Sequence, residues 1–167
     1  MAKARSVTVL GLGNTLLGDE GFGVHFVRWI DRRYCFPKSV RLVDGGTLGY
    51  RLLDELCSCD YLIVVDVIKI DDVPGAVYRF TRHELEQRLP PPTSAHEVEF
   101  PDVLTMAELL GQVPEVVFLC IVPQRIGQMV VELTPCMQER FPALEKLLLD
   151  ELAVYGVAPQ LLSLIHI

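Results

Sequence analysis

Positive charge is scarce in this sequence, and its scarcity limits the partners that the chain can bind. The 167 residues include 15 Lys and Arg against 22 Asp and Glu, which gives a net charge of -7. Proteins that bind nucleic acids or anionic membrane surfaces do so through concentrated positive charge. We therefore expect neither nucleic acid nor a membrane surface to be the main partner of this chain.

Paired cysteines and long apolar runs are lacking as well. The five cysteines are odd in number and form no Cys-x-x-Cys pair, so a disulfide framework or a thiolate zinc site fits poorly. The apolar run at residues 7–12 is short and interrupted by glycine, unlike a signal peptide or a membrane span. These absences predict a cytoplasmic protein with reduced thiols and no membrane insertion.

Nothing in the sequence divides it into several domains. Half of the residues are hydrophobic, enough for one buried core, and there is no linker-like stretch or repeat. We predict a single domain over residues 1–161. Residues 162–167 resemble a translated sequencing adaptor, and we predict that they are a non-native tail, which removes His166 from any site argument.

The hydrophobic pattern predicts an α/β fold. Strands are expected where apolar residues run without a break, and helices where they recur every three or four positions. The predicted strands are residues 6–11, 40–43, 61–65, 76–80 and 116–122, and the predicted helices are residues 22–34, 48–56 and 103–110. A single long final helix is expected from an N-cap at Thr134 to about Tyr155. The order of these elements predicts a three-layer sandwich, in which a mostly parallel twisted sheet of about five strands is flanked by helices.

The glycine-rich loop after the first predicted strand has a nucleotide-binding interpretation that fails. The motif GLGN at residues 11–14 resembles the start of a dinucleotide fingerprint, and Asp44 stands where a ribose-binding acid is expected. Leu16, however, occupies the position of the third glycine. Asp19 and Glu20 stand where a pyrophosphate would have to bind, and their charge would repel it. We therefore expect no nucleotide cofactor.

A metal site explains the same acidic residues better. Glu20 follows the loop after the first strand, while Asp44 and Asp66 stand at the ends of the second and third strands. Ligands of open α/β sheets collect at the carboxyl ends of the strands, and clustered carboxylates repel one another unless a cation or a shared proton relieves them. His96, at the end of a proline-rich loop, adds an imidazole nitrogen. This set of donors suits a divalent first-row ion such as nickel or zinc.

Each of these residues also has an ordinary structural interpretation. Asp66 can cap the turn after its strand, and Glu20 can favour a helix N-terminus electrostatically. Asp19 is interpreted as a helix-start or loop carboxylate, and His25 and His83 as surface or packing residues. Only the convergence of the acidic residues on one edge favours a functional site.

The sequence also resembles a known enzyme family, the [NiFe]-hydrogenase maturation proteases. The resemblance is carried by the motif at residues 11–24 (GLGNTLLGDEGFGV), DGGTLG at residues 44–49, the strand end at residues 65–66, SAH at residues 94–96 and YGVAPQ at residues 155–160. These motifs follow one another in the family's order over nearly the whole chain. The main departure is EVEF at residues 97–100, which alters the expected shape of the docking groove.

The resemblance implies a function and a set of site residues. It implies an endopeptidase that removes a short C-terminal peptide from the precursor of the hydrogenase large subunit after nickel insertion. Carried over by position, the metal-contacting residues are Glu20, Asp66 and His96, and Asp44 matches an acid important for cleavage. We therefore expect Asp44, Glu20 and Asp66 to be the catalytic residues and the chain to act as a monomer.

Two mechanisms remain open at this point. Glu20, Asp66 and His96 either hold a metal whose bound water attacks the scissile carbonyl, or recognise nickel that the substrate already carries. We favour recognition of substrate nickel, with Asp44 as general base or as the residue that positions the attacking water. A non-catalytic nickel-binding chaperone on the same fold is the alternative function, and aspartic-protease chemistry between two carboxylates is a further one.

Overall fold

The computed structural model describes residues 4–47, 49–88, 99–111 and 113–162. The strands are β1 (Val7–Leu12), β2 (Tyr34–Cys35), β3 (Val40–Gly46), β4 (Tyr61–Val67), β5 (Val77–Thr81), β6 (Glu115–Ile121) and β7 (Gln160–Leu161). Five of them form one sheet in the order β3-β1-β4-β6-β5, in which only β5 is antiparallel to its neighbour. The predicted α/β fold with a mostly parallel five-stranded sheet is therefore confirmed.

Helices cover both faces of this sheet. They are α1 (Phe22–Arg33), α2 (Leu53–Cys57), α3 (Arg82–Arg88), α4 (Glu99–Leu109), α5 (Pro135–Gln138) and α6 (Phe141–Val154), with short 3₁₀ turns at Gly18–Gly21 and Gly49–Leu52. One apolar cluster joins α1 and α6 to the sheet, and a second joins α2 and α4 to the opposite face. Within the described ranges, no helix is long and apolar enough to cross a membrane.

Successive residues of the central strands pack on opposite faces of the sheet, as the pleat of a strand requires. In β4, Ile63 and Val65 join the cluster under α1 and α6, whereas Leu62 and Val64 join the cluster under α2 and α4. Because both faces are buried, the strand is apolar throughout rather than alternating. The same alternation decides towards which face each polar residue at the strand end projects.

Two glycines allow α1 to begin directly against the sheet. A Cβ atom at Gly23 would lie 2.1 Å from the Val65 carbonyl oxygen, and one at Gly11 would lie 2.3 Å from the Gly23 carbonyl oxygen. No side chain fits at such distances, so only glycine permits this backbone approach. The close contact fixes the first turn of α1, and with it the preceding turn Gly18–Gly21, near the carboxyl ends of β1 and β4.

The prediction of one long final helix is wrong. The structure has two helices there, α5 and α6, separated at Glu139 and Arg140. Pro142 causes the break, because its ring clashes with the carbonyl four residues earlier and its nitrogen cannot donate a helical hydrogen bond. Thr134 does precede α5 in an extended conformation with a proline after it, as predicted, but its side chain makes no cap hydrogen bond.

Some elements were missed or misplaced by the sequence pattern. Helix α3 was not predicted, and neither was the antiparallel pair of β2 with β7. Helix α4 starts at Glu99, earlier than expected, and the segment predicted as the second helix begins with a 3₁₀ turn. The predicted loop at residues 89–94 lies outside the described residues, as does most of the predicted tail.

Candidate active site

The structure places three of the four predicted site residues at the carboxyl edge of the sheet. Glu20 lies in the 3₁₀ turn between β1 and α1, Asp44 lies in β3 opposite Gly11, and Asp66 lies near the end of β4. These positions follow from the right-handed crossovers that bring the ends of parallel strands to one edge. His96 lies outside the described residues, so its place in the metal set stays a prediction.

Glu20 and Asp66 belong to one electrostatic cluster with Lys69. Burial of the Asp66 carboxyl group raises its pKa to about 7, and the negative charge of Glu20 adds to this rise. The Val67 N–H, which donates to Asp66 Oδ1 at 2.8 Å, and the charge of Lys69 act in the opposite direction. Lys69 Nζ lies 3.0 Å from Glu20 Oε1. The cluster thus contains a carboxyl group that is poised to exchange a proton near neutral pH, beside a second carboxylate.

Asp44 is separated from this cluster by the sheet itself. It is level with Gly11 and Val65 across the strands, whereas Asp66 is one residue further along β4. Since alternate residues point to opposite faces, Asp44 projects towards the α1 side and Asp66 towards the α4 side. Strand β1 lies between them, so their backbones are about 10 Å apart, two strand spacings.

On the α1 side, Asp44 is paired with Arg28. The guanidinium donates to Asp44 Oδ2 from Nε at 3.0 Å and from Nη2 at 2.7 Å. Both side chains are about half exposed, so the pair contributes little to stability. The two residues border a cavity of about 180 Å³ that is also lined by Asn14, Thr15 and Thr47. The cavity places Asp44 beside an open volume next to the glycine-rich loop.

The oxygen donors of the predicted metal set are present, although the described residues alone do not complete a site. Among them, no three His, Cys, Asp or Glu side chains are grouped so that they could hold a metal ion. Glu20 and Asp66 provide carboxylates whose mutual repulsion a divalent cation would relieve, and Lys69 provides the positive charge at present. This chemistry fits a first-row ion that also takes an imidazole ligand.

Asp19 has a larger structural role than the sequence indicated. Its side chain is 1 % exposed and accepts hydrogen bonds from the backbone of Gln124, Arg125 and Thr134, and from the Thr134 hydroxyl. These partners lie more than a hundred positions away in the chain, and no local pattern around Asp19 could reveal them. Asp19 therefore links the turn before α1 to the distant segment at residues 124–134.

Comparisons with known proteins identify the family. Residues 24–151 match the sequence model of the hydrogenase maturation proteases (HycI). The hydrogenase 2 maturation protease of Escherichia coli K12 is 32% identical over 145 residues, which cover 85% of this chain and 88% of that protein. The chain belongs to the hydrogenase maturation protease family. It is therefore a peptidase.

Further relatives agree with this assignment in sequence and in structure. The hydrogenase expression/formation protein HupD of Thiocapsa roseopersicina is 34% identical over 153 residues, covering 90% of this chain and 69% of that protein. The solved structure of the hydrogenase maturating endopeptidase HybD from E. coli superposes with a TM-score of 0.87 at 29% identity, covering 93% of this chain and 97% of that one. The three-layer architecture is thus that of a maturation endopeptidase.

Burial makes two of the cysteine thiols harder to ionise. All five are free thiols. Cys120 is the one in line with Asp66 across the sheet, but burial raises the pKa of its thiol far above neutral pH, and the charge of Asp66 adds to that rise. Burial likewise raises the pKa of the Cys59 thiol. Protonated thiols are poor nucleophiles, which argues against Cys120 and Cys59 as the attacking group.

Proposed function

We propose that this protease removes the C-terminal peptide from the large-subunit precursor of a [NiFe]-hydrogenase after nickel insertion. In this proposal Glu20, Asp66 and His96 recognise nickel that the precursor carries, and the chain needs no metal of its own. The observation that carries the proposal is the Asp66 carboxyl group, buried beside Glu20 with its pKa raised to about 7. The reaction would take place in the cytoplasm, with the protease as a monomer.

The electrostatics of the cluster support recognition of a cation that arrives with the substrate. The ionised form of a buried carboxyl group next to a second carboxylate is destabilised, because burial and like charge both disfavour the anion. Nickel on the precursor would supply the charge that favours the ionised form. Lys69, whose ammonium contacts Glu20, is flexible enough to withdraw when the divalent ion approaches. Glu20 and Asp66 would then bind the substrate most tightly when nickel is in place.

Asp44 is proposed as the residue that accepts a proton from the attacking water or positions it. Within the described part of the chain, both hydrogen bonds from Arg28 end on Oδ2, so Oδ1 is the oxygen that is available to a water molecule. The adjoining cavity provides space for the polypeptide to be cut. A group in this role has to reach the reacting centre through a hydrogen bond, so the precursor would have to extend across the edge of β1 from Asp66 to Asp44.

The test is a processing assay with defined nickel content. The protein is mixed with nickel-loaded and with nickel-free precursor, and the masses of the products are measured. Release of the C-terminal peptide from the loaded precursor alone is the expected result. Equal cleavage of both precursors would contradict nickel recognition and would favour carboxylate chemistry without a metal, which should then show an acidic optimum.

Substitutions in the Glu20–Asp66–Lys69 cluster test the role of individual residues in the same assay. Asp66→Asn and Glu20→Gln should each lower the rate of processing by about a hundredfold or more, since each removes a charged group from the site. Asp71→Asn is the matched control, because Asp71 is an exposed carboxylate only five positions after Asp66. An Asp66→Asn variant that processes at the rate of the control would remove Asp66 from the site.

The same assay distinguishes the alternative of a non-catalytic nickel-binding chaperone. A chaperone would bind the precursor and release no peptide, so only the mass of the full-length precursor would be found. Membership in a family of proteases argues for cleavage. A mass spectrum without product, recorded with nickel-loaded precursor, would favour the chaperone.

A further inference from the structure

The segment at residues 124–134 forms an irregular rim beside the Glu20–Asp66–Lys69 cluster. It has no helix or strand, and residues 124–132 are exposed. Several of its exposed side chains are large and apolar, among them Ile126 and Met129, whose exposures are 51% and 83%. A segment of this composition, with no secondary structure of its own, needs other contacts to hold one conformation.

Those contacts come mainly from the turn Gly18–Gly21. Asp19 Oδ2 accepts hydrogen bonds from the Gln124 N–H at 3.1 Å and the Arg125 N–H at 2.9 Å, and from the Thr134 hydroxyl at 3.0 Å. Asp19 Oδ1 accepts one from the Thr134 N–H at 2.8 Å. One buried carboxylate therefore holds both ends of the segment. Hydrogen bonds to a charged acceptor are stronger than those between neutral groups.

The middle of the segment is attached to the residues on either side of Asp19. The Gly127 N–H donates to Glu20 Oε2 at 3.0 Å, and the Gly18 N–H donates to the Val130 carbonyl at 2.6 Å. The hydrogen bond from Gly127 constrains one oxygen of Glu20, while Lys69 contacts the other. The orientation of the Glu20 carboxylate thus depends on where the segment lies.

We propose that Asp19 is a positioning residue of this protease, which acts by holding the 124–134 segment against Glu20. The buried carboxylate sets the position of the segment, and the segment sets the position of the Gly127 N–H that orients Glu20. The consequence for catalysis rests on the proposed function of Glu20. The clamping of the segment does not, because it follows from the hydrogen bonds alone.

Only an ionised carboxylate satisfies all of these donors. It presents acceptor lone pairs on both oxygens, whereas the amide of an asparagine has one acceptor oxygen and an NH₂ group that only donates. In an Asp19→Asn variant, the NH₂ group would face the Thr134 N–H in one orientation of the amide, and the Gln124 and Arg125 N–H groups in the other. Either orientation loses at least one hydrogen bond and removes the charge that strengthens the others, so the segment is held less firmly while the size of the side chain is retained.

We call the hydrogen bonds between Asp19 and the 124–134 segment the clamp. Limited proteolysis tests the clamp without measuring activity. Trypsin cleaves after Arg125, whose side chain is exposed and whose N–H donates to Asp19. Asp19→Asn should speed cleavage at this bond by roughly tenfold, since local opening becomes easier, and cleavage after Lys146 in α6 should change far less. Equal rates at Arg125 in the variant and the wild type would overturn the clamp.

Processing kinetics test the effect on Glu20. Asp19→Asn should lower kcat/KM for nickel-loaded precursor by roughly tenfold or more, with the loss in kcat as well as in KM. Thr134→Val removes the hydroxyl donor and keeps the shape of the side chain, so it should cause a smaller loss in the same direction. If Asp19→Asn does not fold, Thr134→Val decides the question through the same two measurements.

A matched control separates positioning from general loss of stability. Glu151 is also a buried carboxylate, 4 % exposed, but it binds Arg79 of β5 and makes no hydrogen bond to the 124–134 segment among the described contacts. Glu151→Gln should lower the melting temperature and leave kcat/KM and cleavage at Arg125 unchanged at temperatures well below melting. If both variants lose activity in proportion to their melting temperatures, the positioning role is wrong. If the wild type itself releases no peptide, the proposed function is wrong. The rate of trypsin cleavage after Arg125 still shows whether Asp19 holds the segment.

Discussion

Asp19 and Glu20 are neighbours in the chain and lie in the same 3₁₀ turn, yet their side chains differ in burial and in the groups that they contact. Asp19 is buried and binds backbone N–H groups of a distant segment. The Glu20 side chain is 16% exposed and contacts Lys69. The difference arises because the turn lies between the sheet edge and the 124–134 segment, so that successive residues face different surroundings. The residue type alone would not have separated them.

His25 in α1 should make the stability of the protein depend on pH. Burial lowers the pKa of His25 from its usual 6.5, and the charge of Arg28 lowers it further, while a hydrogen bond with the Val131 backbone and the charge of Asp44 oppose the change. Below pH 6.5 the unfolded chain therefore binds more protons at this residue than the native protein does. Stability should consequently fall as the pH drops through this range.

The measurement is urea unfolding at about pH 5 and about pH 8. Trp29 is the single tryptophan and packs on Phe26 and Phe141 between α1 and α6, so its fluorescence reports the core. His25→Gln should reduce the difference in stability between the two pH values. His83→Gln, at an exposed position, should leave it unchanged. An undiminished difference in the His25 variant would contradict the assignment.

At the scale of elements, α3 shows a signal that the hydrophobic pattern does not contain. The helix has no buried residue, so it has no apolar stripe to detect. It begins instead with a capping box, Thr81 to Glu84, in which the Glu84 carboxylate accepts from the Thr81 N–H and the Thr81 hydroxyl accepts from the Glu84 N–H. A Ser or Thr followed three positions later by Glu is a recognised helix start, and it could have predicted α3.

The capping box should matter for the local stability of α3. Thr81→Val keeps a β-branched side chain at the end of β5 and removes the hydroxyl that accepts from Glu84. We expect a loss of about 1 kcal/mol in the opening free energy of α3, seen as roughly fivefold faster hydrogen exchange of its amides. Thr81→Ser retains the hydroxyl and is the control. Unchanged exchange in the valine variant would show that the cap is unimportant.

At the scale of the whole molecule, an ion pair joins the antiparallel edge strand to the last long helix. Arg79 in β5 donates to both oxygens of Glu151 in α6, at 2.7 and 3.0 Å. The Glu151 side chain is 5 % exposed and the Arg79 side chain 44%. Water therefore screens the pair in part, and its contribution lies below that of a fully buried pair.

Removal of one partner should cost more than removal of both. Arg79→Met leaves the buried Glu151 carboxylate without its cation, and we expect a loss of about 1–2 kcal/mol in the free energy of unfolding. The double variant Arg79→Met/Glu151→Leu should recover part of that loss, because no charge remains buried. Urea unfolding followed by Trp29 fluorescence measures both values. A double variant that is less stable than the single one would contradict this explanation.

Much of the fold follows from local chemistry. Apolar runs such as residues 61–65 can be satisfied only by burial on both faces of a sheet, and parallel strands joined by helices need right-handed crossovers. The carboxyl edge of the sheet, and therefore the neighbourhood of Glu20, Asp44 and Asp66, is set by the same rules. The break at Pro142 was also readable, because proline excludes a continuous helix at that point.

The sequence by itself determined the α/β architecture, the family resemblance and the acidic residues at one edge of the sheet, because short-range periodicity and steric rules govern these features. Only the tertiary structure decided on which face of the sheet each acidic residue lies and which of them is buried. The strand register sends Asp44 and Asp66 to opposite faces, and the packing of the 124–134 segment buries Asp19 beside the partly exposed Glu20. Such partners are far apart in the chain, and no local pattern encodes which distant donor a carboxylate will meet.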